Sequence, residues 1–283
     1  MKIVIATCNP LPSFEKDDDS LYACFDDHGV VYDIIPWDEI KEPLDFEACL
    51  IRTTWDYVDR WKEFQTWIDE ISTTIPLWNS KELIRWNIDK RYLQYLNERG
   101  VPIAPTIWLD SPIDLKKEME ARDWERGFLK PVIGACASDT FRFSKDTIAS
   151  AQLFLEKTTS KQRMMLQPYL KSVETLGEYS AIYFGGRFSH AVRKVPVAGD
   201  YRVQDDYGAF DEGIEPPEEL VHLAQKALEH VPYPWLYARV DALVMDDGTW
   251  VLNELEMIEP SLFFRHAPHG PRMFYDALVE VMT

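Results

Sequence analysis

The sequence predicts an α/β lobe followed by two α+β lobes that share a cleft. Three observations carry this. Residues 1–86 alternate strand-like apolar runs with helical periodicity, the pattern of a parallel sheet with helices on its faces. Beyond residue 170 the pattern changes to hairpin pairs with Gly-containing turns. The 283 residues exceed one minimal domain without filling three independent ones. The expected divisions are residues 1–86, 87–166 and 167–283.

In chain order, KIVIAT reads as a first strand rather than a signal peptide, because it has one lysine and only a short apolar run. A helix over Ser20 to Asp27 ends at His28-Gly29, where glycine suits the left-handed position. VVYDIIPW and ACLIRTT are the second and third strands. Trp61, Phe64, Trp67, Ile68 and Ile71 recur at helical spacing, and IPLWN is a short fourth strand. A helix is expected from Asn87 to Arg99, ended by Gly100. GFLKPVIGACASDTFRF reads as strand, loop and strand, Ile148 to Glu156 as a helix, and MMLQPYL as a strand stopping at Pro168. YSAIYF and RFSHAVRK form a hairpin on Gly185-Gly186, and LYARVDALVM and TWVLNELEM another on Asp247-Gly248. A polar loop from Pro196 to Pro217 and a helix from Glu218 to His230 separate the hairpins, and a last helix closes the sequence.

Apolar residues make up 46% and charged residues 28%, enough for a large core. Thirty basic residues face 48 acidic ones, for a formal charge of −18. Nucleic acid and anionic membrane are therefore not expected partners, since both demand a basic footprint. Cys8, Cys24, Cys49 and Cys136 are scattered without metal-ligand spacing, which fits a reducing, cytoplasmic setting.

The second hairpin concentrates charge. With a two-residue Asp247-Gly248 turn, Asp246 faces Thr249, Asp241 lies opposite Glu254 and Arg239 opposite Glu256. One face then carries Tyr237, Arg239, Asp241, Leu252, Glu254 and Glu256; Asn253 falls on the other, core-facing side. Opposed carboxylates destabilise a sheet unless something offsets them. Two readings remain at this point: a solvated face with an Arg239–Glu256 pair, or a site for a hard divalent cation. In the second, the acids repel one another without the ion, and Glu254→Gln should raise the melting temperature of the free protein.

Lys90 in NIDKRYL, Lys130 in FLKPVIGACASDT, then QPYLKSVET, HAVRK, YARVD and LNELE follow one another in an order that resembles the ATP-grasp superfamily over essentially the whole sequence. RTTWDY, LWN, KRYL, FSHAVRK and ELE-IEPSLF resemble the group containing the O-ureidoserine cyclo-ligase of D-cycloserine biosynthesis. Glutathione synthetase and RimK-type ligases are more distant. The resemblance implies ATP held between two α+β lobes behind an N-terminal parallel-sheet lobe.

It also implies roles. Lys90 and Lys130 match the lysines on the ATP phosphates. Gly134 and Ser138 belong to the small-residue phosphate loop, which has a single glycine where relatives often have several. Gln167, Pro168, Tyr169 and Leu170 match the adenine-reading hinge. Glu174 and Glu178 match acidic groups on the ribose and adenine side. Asp241, Glu254 and Glu256 match ligands of Mg2+ (or Mn2+), although relatives often have asparagine at the last. Arg193 and Arg239 are candidates to clamp an acyl phosphate, with salt bridging as the alternative for each. Arg52 ends a strand of the parallel sheet, where ligands commonly bind; it is expected to fork onto a substrate carboxylate, with Thr53 bonding an amino-acid head and Arg202 reaching in from its loop. Packing under the next helix is expected for Trp55 and Tyr57. The implied activity joins an activated carboxylate to nitrogen, within one amino-acid-like substrate or between two; a non-catalytic ATP-binding module is the other alternative. Relatives commonly form dimers or tetramers.

Overall fold

The computed structural model describes residues 1–11, 17–41, 45–134, 139–203 and 207–283. The first sheet is parallel, in the order β2-β1-β3-β4: β1 is Lys2–Thr7, β2 Val31–Pro36, β3 Ala48–Thr53 and β4 Leu77–Trp78. β1 and β3 lie inside it and are almost wholly buried, as continuous apolar runs in a parallel sheet should be. Helix α1 (Asp19–Asp27) and helix α2 (Trp61–Ile71) supply its crossovers, and α2 buries Phe64, Trp67, Ile68 and Ile71.

The single helix expected from Asn87 to Arg99 is two, α3 (Lys81–Asn87) and α4 (Tyr92–Asn97). The chain breaks between them because the Lys90 amide donates to the Val132 carbonyl at 2.9 Å, in the neighbouring sheet's loop. The Asp89 carboxylate accepts from the Arg91 amide at 3.0 Å and offers the backbone a turn instead of a helix.

A second, antiparallel sheet follows in the order β5-β8-β6-β7. β5 is Ile107–Leu109, β6 Arg126–Pro131, β7 Phe141–Ser144 and β8 Met164–Pro168. Helices α5 (Leu115–Ala121) and α6 (Ile148–Thr159) cover it through Leu115, Met119, Ala151 and Leu155. After the short helix α7 (Ser172–Thr175) comes a five-stranded antiparallel sheet, ordered β11-β10-β9-β12-β13. Its strands are β9 (Glu178–Phe184), β10 (Arg187–Val195), β11 (Phe210–Ile214), β12 (Tyr237–Val244) and β13 (Trp250–Glu256). β11 lies inside the stretch expected to be loop. Helix α8 (Glu218–Leu228) packs on this sheet, and helix α9 (Gly270–Met282) lies against α1 and β9. The divisions expected at 86/87 and 166/167 cut α3 and β8; sheet membership supports breaks after Asn87 and Pro168, which we propose instead.

β13 is an edge strand, and its outer backbone groups are satisfied by other parts of the chain. The Leu252 amide donates to the Pro102 carbonyl at 2.9 Å and the Leu255 amide to the Tyr92 hydroxyl at 2.8 Å. Asn87 donates to the Leu255 carbonyl at 2.7 Å and accepts from the Met257 amide at 2.9 Å. Side-chain donors then take six consecutive carbonyls. Asn79 reaches Met257 at 2.8 Å, and Tyr237, sharing its hydroxyl proton with Ile51, reaches Ile258 at 2.9 Å. Trp55 reaches Glu259 at 3.3 Å, Arg52 Pro260 at 3.1 Å, Arg239 Ser261 at 3.2 Å and His190 Leu262 at 2.8 Å. The parallel lobe is thereby docked onto the end of the acidic strand.

Candidate active site

The cleft has an apolar end and a charged end. Phe128, Gln167, Pro168, Tyr169, Leu170 and Leu243 are among the lining residues at the first. The Gln167 amide donates to the Thr106 hydroxyl at 2.9 Å, and the Tyr169 amide to the Arg126 carbonyl at 3.0 Å, so the strand end is held firmly. Tyr201 reaches across from the loop after β10: its hydroxyl is 2.7 Å from that of Thr140, and its ring meets Phe128 edge-on at 5.2 Å.

At the charged end, the Lys90 ammonium lies 2.8 Å from Glu254 and donates to the Gly134 carbonyl at 2.6 Å. Lys130 donates to the Asn253 side-chain oxygen at 3.3 Å. Burial, with Lys90 nearby, pulls the Lys130 ammonium below its ordinary range. Burial pushes the Glu254 carboxyl up, but Lys90 and Lys130 outweigh it and hold that acid below its usual range. Lys194 lies 2.9 Å from Glu178 and 3.3 Å from Asp241; burial opposes its charge, and those two carboxylates raise its pKa regardless. Asp241 takes Arg239 at 2.9 and 3.0 Å and accepts from Ser180. Burial would raise Asp241, yet Arg239 and Lys194 hold it at about 2. Glu256 also pairs with Arg239, but burial and the neighbouring Asp241 and Glu254 push it to about 7. Glu259 is pushed to about 8 by burial and by Glu256, against the Tyr57 hydroxyl.

The opposition of Asp241 to Glu254 and of Arg239 to Glu256 is present, by a route the sequence reading did not foresee. The Met245 amide donates to the Thr249 carbonyl at 2.8 Å, so the turn holds three residues, Asp246, Asp247 and Gly248, with Gly248 left-handed at φ 85°. A bulge between Asp241 and Ala242 then pairs Ala242 with Leu252 and restores the acid register. The bulge also exchanges two side chains. Leu252 is in the core, and Asn253 faces the cleft, where it donates to Glu178 at 2.5 Å.

Several expected residues are elsewhere. Arg193 is a strand neighbour of Lys194 and points to the opposite face; it pairs with Glu212 and is absent from the cleft wall. Arg52 is buried, bound to both oxygens of Asp18 at 2.8 and 2.9 Å and to the Pro260 carbonyl, so it supports the wall from behind. Thr53 bonds Thr7 at 2.6 Å inside the parallel sheet. Glu174 stands behind the wall, held by Arg142 at 2.9 Å and Tyr169 at 2.6 Å. Arg202 lines the cleft, paired with Asp200 at 2.6 Å. Trp55 and Tyr57 do more than pack, since both line it. Ser138 lies outside the described residues, as does Cys136.

Glu254 and Glu256 fit a hard cation. Each uses one carboxylate oxygen for a basic partner and leaves the other without a hydrogen bond among the described residues. Their side chains are 26% and 33% exposed, toward the cleft. Asp241 is 3% exposed with both oxygens taken. Among the described residues no three His, Cys, Asp or Glu side chains form a ready metal cage.

Residues 3–79 match the family described as the D-cycloserine synthetase DcsG N-terminal domain. The cycloserine biosynthesis protein DcsG of Streptomyces lavendulae is 28% identical over 270 residues, 89% of each chain. The crystal structure of D-cycloserine synthetase DcsG superposes with a TM-score of 0.88 at 26% identity, covering 100% of both chains. A D-alanine–D-alanine ligase from Bacillus anthracis shares the fold at a TM-score of 0.70 and 18% identity, with 100% of this chain and 97% of that one covered. The chain has the ATP-grasp fold and is an ATP-grasp ligase.

Proposed function

We propose that the enzyme uses ATP to activate the carboxylate of a small amino-acid-like substrate as an acyl phosphate, which a nitrogen of the same molecule then displaces, closing a ring. The observation that carries this is the set of four buried cations, Lys90, Lys130, Lys194 and Arg239, lining one cleft beside Glu254 and Glu256. In the first step a substrate carboxylate oxygen attacks the terminal phosphorus of ATP and ADP leaves. In the second, nitrogen attacks the acyl carbon, phosphate leaves, and the nitrogen proton passes to solvent or a base. Charge neutralisation and positioning dominate such chemistry.

Lys90 and Lys130 are suited to the phosphates, as ammonium groups at the mouth of the Gly134 loop. Lys194 joins them from β10. Arg239 faces the substrate end through Glu256 and the Ser261 carbonyl and is suited to the acyl oxygen. The apolar end, with its pinned hinge at Gln167 to Leu170, suits adenine. Glu254 and Glu256 would hold magnesium or manganese, with Asp241 orienting Arg239 and Lys194. When bound, that ion supplies positive charge to the phosphate oxygens.

The cyclising step rests on the likeness to D-cycloserine synthetase over the full chain. O-Ureidoserine with MgATP should yield ADP, phosphate and a cyclic product, followed by coupled assay and mass spectrometry. ADP formation only after a separate amine or second amino acid is added would replace ring closure with intermolecular ligation. Binding of ATP without turnover of any carboxylate would reduce the protein to a nucleotide-binding module.

A further inference from the structure

The substrate end of the cleft holds one carboxyl group with no cation assigned to it. Glu259 is partly exposed there, with Trp55, Tyr57, Ser261 and Phe263 also on the wall. The cleft's cations are committed elsewhere: Lys90 to Glu254, Lys130 to Asn253, Lys194 to Glu178 and Asp241, Arg239 to Asp241 and Glu256, and Arg202 to Asp200. Among the described residues, no basic group lies within ion-pair distance of Glu259. To ionise in a low-dielectric cleft that carboxyl needs a counter-charge at hand, and a cationic ligand would supply it.

The surroundings favour a compact cation. Tyr57 places its hydroxyl against the Glu259 carboxylate. Aromatic rings attract ammonium groups, and Trp55 and Tyr57 line this wall, while the Phe263 ring already lies against the Arg239 and Arg265 guanidinium groups. The wall is rigid, because the carbonyls of Glu259, Pro260 and Ser261 are held by Trp55, Arg52 and Arg239. Phe263 is kept in the left-handed region at φ 52°, a conformation a bulky residue adopts only when its surroundings impose it.

We propose that Glu259, among Trp55, Tyr57 and Phe263, is the subsite that receives the ammonium group of the substrate. This rests on the ligase reading above and deepens it. The carboxylate to be activated sits toward Arg239 and the phosphates, and the ammonium points the other way, to Glu259. The substrate class is therefore an amino acid, distinguished from the corresponding simple or hydroxy acid by this one residue. Glu259 touches substrate; Tyr57 is a positioning residue that acts through it.

The test uses the full chain. ADP affinity in the presence of magnesium is measured by calorimetry. ADP release from ATP is then recorded with O-ureidoserine, serine and alanine, each beside the counterpart bearing hydrogen in place of the ammonium. Wild type should prefer the ammonium-bearing member of a pair at least tenfold in kcat/KM. Glu259→Gln should raise KM for that compound tenfold or more, with kcat changed less than threefold and ADP affinity unchanged. Tyr57→Phe keeps the carboxylate and loses only the orienting hydroxyl; it should raise the same KM by a smaller factor, and it decides the matter if Glu259→Gln does not fold. Equal use of both members of a pair, wild-type KM in the variants, or ADP release only from the members without the ammonium overturns the subsite alone. Failure of wild type to bind ADP, or MgATP binding without ADP release from either member of any pair, overturns the ligase reading and the subsite with it.

Discussion

The Lys90 ammonium and the Glu254 carboxylate are 2.8 Å apart across the cleft floor, one from the break between α3 and α4, the other from β13. This pairing reverses the expectation that the acids merely repel one another without metal. Glu254 is stabilised in its ionised form by two lysines. Glu254→Gln should therefore lower the stability of the free protein, by about 2 kcal/mol, because it leaves buried lysine charge uncompensated. It should also abolish ADP release. Denaturant melts of the two proteins without nucleotide check the sign; a higher midpoint for the variant would restore the repulsion account.

Lys194 carries a heavier load than Arg193. Its ammonium is the shared counter-ion of Glu178 and Asp241, all three nearly inaccessible to water. Lys194→Met should cost about 3–5 kcal/mol of stability. In whatever fraction stays folded, it should cut ADP release by about a hundredfold, a loss of roughly 3 kcal/mol in transition-state stabilisation. A variant with near-normal turnover would remove this lysine from the chemistry.

Arg193→Ala should do little. Its partner Glu212 lies at the exposed edge of the sheet, and such pairs contribute about 0–1 kcal/mol. Steady-state kinetics should show kcat/KM within about threefold of wild type. A loss of a hundredfold or more would return Arg193 to the active site.

Stability should depend on pH through Glu259. Its carboxyl titrates at about 8 when folded and near 4.5 when unfolded. The folded state thus binds more protons, and stability declines as pH rises from 4.5 through 8. His190 has the opposite sign: burial lowers it from 6.5 to about 4, so its contribution is lost as pH falls through that interval. Between pH 7 and 8 His190 is mostly neutral in both states, and Glu256, at about 7, goes from about half to mostly ionised and adds a smaller loss of the same sign. Wild type should lose about 1 kcal/mol there, and Glu259→Gln should have a flatter profile. Urea titrations at the two pH values, without nucleotide, provide the comparison.

Strands were the most legible part of this sequence. KIVIAT, the runs in the parallel lobe and the Gly185-Gly186 hairpin stand where period and turn chemistry put them, and the second hairpin has its expected strands but a different turn. The family resemblance extended that to the ATP-grasp arrangement. What the sequence concealed was parity. Arg193 and Lys194 are adjacent basic residues on one strand, and no local pattern says which faces the cleft; pairing of Lys194 with Glu178 across β9 and β10 decides it. Asn253 was assigned to the core because a bulge leaves no signature in alternation, and an Asn among apolar neighbours was the available hint. Arg52 is at a ligand-favoured strand end, but Asp18, distant in sequence, claims it first. Glu259 carries no pattern that marks it in the sequence; only the fold brings Tyr57 beside it.

Six side chains, from Asn79, Tyr237, Trp55, Arg52, Arg239 and His190, grip the main chain of residues 257–262 by its carbonyl oxygens. A carbonyl is the same atom pair whatever residue bears it. The clamp therefore reads path and ignores identity, and the side chains at 259 and 261 are free to change while the wall keeps its course. Substitution at either position alters what the cleft accepts without undocking the lobes, whereas substitution among the six grips displaces the whole wall. The molecule thus separates the residues that can diversify its substrate from those that hold its architecture, and directed variation confined to 259 and 261 should yield folded enzymes with altered preference far more often than variation at the grips.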